Sequence, residues 1–148
     1  MAVNVGYGPV SAEGGDIFLV DLKAGRVHAY NYGGFGLGWS FPPGISFAAS
    51  AEIGAVSGID SRDEFTGWGY AISGFIAAGP EGVAGQYFSN LSGDYRGLSA
   101  GWAAGLGANI SGVGTYTRFD RWFSIEELPQ EIKDLIDEFL GGCQPGGQ

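Results

Sequence analysis

One histidine, one cysteine and one isolated strand glutamate, Glu52, are the groups through which this 148-residue chain could do chemistry. His28 is alone, which excludes a metal site built from two histidines. A Ser/His/acid triad would rest on it with no G-x-S-x-G elbow in the chain. It shares strand parity with Tyr30 and Tyr32 and reads as a histidine packed beside aromatics. Cys143 sits in Gly-Gly-Cys-Gln-Pro-Gly-Gly without a local base, so it reads as an inert thiol, and a lone cysteine excludes an internal disulfide and a cysteine metal cluster. Asp60, Asp63 and Glu64 offer oxygens suited to calcium, but without D-x-D-x-D-G spacing they read as a solvated hairpin loop. Gly33-Gly34-Phe35-Gly36 and Gly105-Leu106-Gly107 have no Lys-Ser/Thr after them, so neither is a phosphate loop. No catalytic residue, metal ligand or cofactor is assigned.

Two features remain for ligand binding. Glu52 interrupts a row of Ser, Ala and Gly within a strand pattern, and a carboxylate buried there costs several kcal/mol unless paired. If buried, it should meet Arg118, Arg26 or His28. It could then orient a ligand or act as a weak acid or base; a solvent-facing Glu52 is the plainer alternative. Trp39, Trp68, Tyr70 and Trp102 either line an apolar cavity, as eight-stranded barrels allow, or simply pack a core. The candidate ligand-binding set is Trp39, Glu52, Trp68, Tyr70 and Trp102.

The elements that would position these residues are strands. Asp16–Lys23 and Arg26–Tyr32 flank Ala24-Gly25 as a hairpin. From Gly33 to Phe119 side-chain size alternates with a period of two. Phe35, Leu37, Trp39 and Phe41 alternate with Gly36, Gly38 and Ser40; Trp68, Tyr70 and Ile72 alternate with Gly69, Ala71 and Ser73; Leu98 to Ile110 behave alike. Turn signals at Pro42-Pro43-Gly44, 60–64, 79–82 and 92–94 separate the runs. These patterns predict a mainly β fold, an antiparallel up-and-down meander of about eight to nine strands closed into a barrel over residues 1–123. Ser124-Ile125-Glu126-Glu127 has capping-box form, and Ile132, Leu135, Ile136, Phe139 and Leu140 have helical spacing. A C-terminal amphipathic helix over 124–140, packed on the barrel, and a flexible tail over 141–148 follow.

Which face points inward is the open matter. The large face as core predicts that Trp39, Ile53, Trp68, Ile72, Trp102 and Leu106 are buried and mutually packed, and this arrangement is the one expected. Alternatively the large face meets lipid, or the small face lines a narrow space between close sheets.

Composition limits the partners. Glycine, 29 of 148 residues, far exceeds its usual ~7%, yet there is no collagen period, and 45% hydrophobic residues exclude a disordered linker. A net charge of −9 disfavours nucleic acid and anionic membrane surfaces. The opening Met1-Ala2-Val3-Asn4 is not a signal peptide, and no stretch reads as a membrane helix. A removed leader or a longer parent chain stays open.

The tracts Gly67-Trp68-Gly69-Tyr70, Gly97–Ala108 and Gly112-Val113-Gly114-Thr115-Tyr116-Thr117 resemble glycine-rich β domains near the C-terminal ends of bacterial RHS-type and other polymorphic secreted proteins. The resemblance implies a bacterial, exported or cell-envelope setting and supplies no catalytic residues. The expectation is a noncatalytic binding or interaction module that presents a cavity or surface to an apolar small molecule or a protein partner. Oligomerisation is left open. A barrel isomerase or hydrolase using Glu52 with His28 or a tyrosine is one alternative, and a membrane-inserted barrel or pore component is another.

Overall fold

The computed structural model describes residues 1–21, 24–59 and 65–142. Among these lie seven strands: β1 (Ala2–Tyr7), β2 (Val10–Asp21), β3 (Arg26–Phe41), β4 (Ile45–Ser57), β5 (Gly67–Gly79), β6 (Glu81–Asn90) and β7 (Arg96–Ser124). The predicted hairpin is present, with Asp21 paired to Arg26 across the turn and Gly25 at φ +64°. Ser124 caps a short 3-10 turn, Ile125–Glu127, and α1 (Gln130–Gly142) begins only after Pro129, so the capping box serves the turn rather than the α-helix. Ile132 and Leu135 of α1 are exposed, and α1 makes no extensive contact with any strand among the described residues. The loop acids Asp60, Asp63 and Glu64, and Cys143 with the predicted tail beyond Gly142, lie outside the described residues.

All pairings are antiparallel, in the order β3-β2-β1-β4-β7-β5-β6, with β7 also pairing β3 and β6. The chain therefore departs from a pure meander: β4 pairs with β1, and β7 joins four other strands. One edge of β7 pairs first with β4 over Arg96–Leu106 and then with β3 over Ala108–Ser124. The other edge takes β6 and then β5. The switch falls at Gly107, whose φ of +91° is a value that side chains with a Cβ rarely adopt. A continuous ring of hydrogen bonds results.

The ring has two unlike ends. At one end are the tight connections Gly8-Pro9, Pro42-Pro43-Gly44 and Pro80, beside the bend at Gly107; Gly8 N–H donates to the Gly44 carbonyl and Gly38 N–H to that of Pro9. At the other are Met1, the strand ends leading into 22–25, 58–66 and 91–95, and the exit to α1.

The large face is outside, which corrects the expected core. Trp39 is 82% exposed, Trp102 80% and Phe35 76%; Ile53, Trp68, Ile72 and Leu106 are exposed as well. The interior holds Ser11, Glu13, Ser40, Ser46, Ser50, Ser73, Asn109, Ser111, Thr115 and Thr117, with Ala48, Phe75, Ala77 and Ala103. Curvature explains the inversion. A Cβ on Gly36 would run into the Gly112 carbonyl of the adjacent strand, and one on Gly101 into that of Ala51. So tightly coiled a wall favours small residues on its concave side, with Phe75 the large exception among Ala48, Ala77 and Ala103. The other large apolar groups gather toward the opposite end, where Tyr30, Phe65 and Tyr95 pack with Phe88 and Phe119.

Candidate functional site: the interior carboxylates

Two carboxylates face the interior at mid-height. Glu13 is 7% exposed and accepts hydrogen bonds from Asn4 Nδ2 at 3.2 Å, Ser73 Oγ at 2.5 Å and Gln86 Nε2 at 2.8 Å. Its donors come from β1, β5 and β6, so strands far apart in sequence converge on one side chain. Glu52 accepts from Ser50 Oγ and Ser99 Oγ, each at 2.7 Å. The expected cationic partners are elsewhere: Arg26 stacks over Trp122 with its guanidinium carbon 4.5 Å from the ring centroid, Arg118 is exposed, and His28 lies against Phe119 with ring centroids 6.3 Å apart. Arg26, Arg96, Arg118 and Arg121 are all exposed, and His28, on the inward side of β3, sits with Phe119 away from both carboxylates.

β1 is short, and this gives access to Glu52. Beyond Ala2, β2 and β4 continue with no strand between them, and a cavity of about 180 Å³ fills the slot. Asp16, Ile17 and Leu19 form one wall and Gly54 and Val56 the other, with Glu52, Tyr32 and Gln86 also lining it. A separate void of about 20 Å³ touches both carboxylates. Nearer the tight-turn end, Asn109 Nδ2 donates to Ser40 Oγ at 3.1 Å and Ser11 Oγ at 3.4 Å.

The site is made of hydrogen-bonding groups, serine hydroxyls and amides that donate to the two carboxylates. Among the described residues, no group of three or more His, Cys, Asp or Glu side chains is placed to hold a metal. Of the five residues singled out from the sequence, only Glu52 borders this space. Trp39, Trp68, Tyr70 and Trp102 stand on the outer wall, where Trp68 packs against Tyr116 (centroids 5.0 Å) and Tyr70 against Tyr87 (6.3 Å). Glu13, Tyr32 and Gln86 were missed. Glu13 lies in Ser-Ala-Glu-Gly-Gly, which reads as a turn; its shared parity with Ser11, in a run whose alternate residues are Val10 and Ala12, was the available signal.

The chain matches no family model, no curated protein and no solved structure. Its geometry carries the functional argument.

Proposed function

We propose that the chain is a membrane-inserted β-barrel domain, its hydrogen-bonded ring closed in a bilayer with the large apolar face toward lipid. The observation that carries this reading is the outer belt. Along β5 the outward residues Trp68, Tyr70, Ile72, Gly74, Ile76 and Ala78 include no charge, and those of β4 from Ile45 to Ala55 include none either. Ten residue steps cover ~33 Å along a strand, and a tilt near 40° projects that to ~25 Å, the height of the apolar band of membrane barrels. Neighbouring strands complement one another in size: Leu37 and Ile72 flank Gly112, and Phe35 and Tyr70 flank Gly114. A patch this extensive is far beyond what a water-exposed monomer tolerates. No helix among the described residues is long and apolar enough to cross a membrane, so strands carry the proposal. The interior is filled by small polar side chains and, toward the charged end, by an aromatic cluster, so the domain is a lipid-embedded module and not a wide pore. An exported or cell-envelope setting, with the RHS-type resemblance behind it, accords with this reading.

The test is flotation with phosphatidylcholine vesicles and quenching of tryptophan fluorescence by brominated acyl chains. Co-flotation with strong quenching is expected, since Trp39, Trp68 and Trp102 all face outward. A monodisperse, detergent-free protein that stays at the bottom of the gradient would transfer the belt to a protein partner or to further copies of the chain.

A further inference from the structure

Charge divides the ring's two ends. Of seven Lys and Arg and sixteen Asp and Glu in the sequence, Glu81 alone stands at the tight-turn end among the described residues. Glu13 and Glu52 face the interior, and the other described charges lie toward the opposite end or in α1. That end begins at one outward row, Asp16, Asn31 and Arg118, which are register partners across β2, β3 and β7; Asn31 Nδ2 donates to Asp16 Oδ1 at 3.1 Å. Beyond the row come Asp21, Arg26, Asp94, Arg96, Asp120 and Arg121, then the acidic α1. At the opposite end Tyr7, Phe41 and Ile45 project outward beside turns with few exposed polar groups, because Gly8 and Gly38 spend their N–H groups on the carbonyls of Gly44 and Pro9.

We infer that the domain enters a bilayer with its tight-turn end leading, so that Gly8-Pro9, Pro42–Gly44 and Pro80 reach the far leaflet while the charged end and α1 stay on the side of entry. The inference rests on the membrane reading above. Its physical cause is the cost of carrying polar groups through hydrocarbon. Moving the opposite end across would take Arg26, Arg96, Arg118 and Arg121 with their acidic neighbours, whereas the tight-turn end brings one carboxylate and turns that satisfy part of their own backbone. Aromatic residues mark both limits of the belt, with Trp68 and Tyr116 just inside the charged row and Tyr7 and Phe41 at the far side, as interfacial girdles require.

The experiment adds full-length protein to preformed phosphatidylcholine vesicles. Two single-cysteine variants, Pro43→Cys and Ser92→Cys, each in a Cys143→Ser background, are probed with a membrane-impermeant maleimide. Ser92→Cys should label at once, and Pro43→Cys only after detergent opens the vesicles. External labelling of Pro43→Cys, whether alone or equal to that of Ser92→Cys, overturns the proposed direction while co-flotation preserves the membrane reading. If neither variant floats with vesicles, the membrane reading itself falls. As a second arm, Pro43→Asp should slow acquisition of brominated-lipid quenching by about tenfold or more, since its charge must cross. Ser92→Asp should leave that rate unchanged, and equal slowing by both overturns the inference.

Discussion

Trp102 and Ala103 are consecutive residues of β7, one 80% and the other 2% exposed, and outside the aromatic cluster around Tyr30 and the buried Phe75 the outer and inner walls of the ring differ in that same sense. The outer wall carries the bulk and the apolarity; the inner wall carries the hydroxyls, amides and carboxylates. A sheet packed in water would have these reversed. The contrast shows that period-two patterning identifies which residues share a face, while curvature and surrounding solvent decide which face turns in.

The largest test of the contrast puts a charge on the outer wall near mid-belt. Ile110 lies beside Trp39 and Gly74, so Ile110→Arg should destabilise the lipid-embedded ring by about 2–4 kcal/mol. Urea titration of vesicle-bound protein measures this, and an unchanged midpoint would mean that the wall faces water. A sharper comparison uses the neighbouring pair in β7. Ala103→Leu overfills the interior against Ala48 and Ala77 and should cost about 1–3 kcal/mol, whereas Trp102→Leu should cost less than about 1 kcal/mol. Denaturation of both variants in detergent checks the ranking, and a reversed order would place the core on the large face.

The smallest effect is confined to alkaline pH and to the wide end of the interior. Burial against Phe65 raises the Tyr95 phenol above its ordinary value of 10.0. The folded chain therefore holds that proton after the unfolded chain would lose it. The contribution is complete below pH 10.0 and falls as pH climbs beyond it. Tyr95→Phe should flatten that decline, as followed by thermal unfolding between neutral and alkaline pH.

Much of the fold was legible in the sequence. The hairpin around Gly25, the strands through Trp39, Ile53, Trp68 and Trp102 and the C-terminal helix all follow from local periodicity, which is a short-range property. The inversion of faces is not legible from bulk, because large apolar side chains suit a buried core and a lipid-facing wall alike. Polarity was the better guide: Glu52, Gln86, Asn109, Ser111, Thr115 and Thr117 all share the small face, and the large face from Phe35 to Phe41 and from Trp68 to Ile76 has no charge. Glu13 and its three donors were illegible as a set, since Asn4, Ser73 and Gln86 meet only through strand order. The doubled role of β7 was hidden too, because one glycine with positive φ looks like any other among 29.

That doubled role has a kinetic meaning. Without residues 96–124 the remaining pairings divide into a four-stranded sheet, β3-β2-β1-β4, and a separate β5–β6 hairpin. Both edges of the sheet and both edges of the hairpin await the same last strand. During synthesis from the N-terminus, closure is thus a late, single event dominated by contacts distant in sequence, the kind that folds slowly. Until it occurs the nascent chain exposes open strand edges beside its most apolar surface.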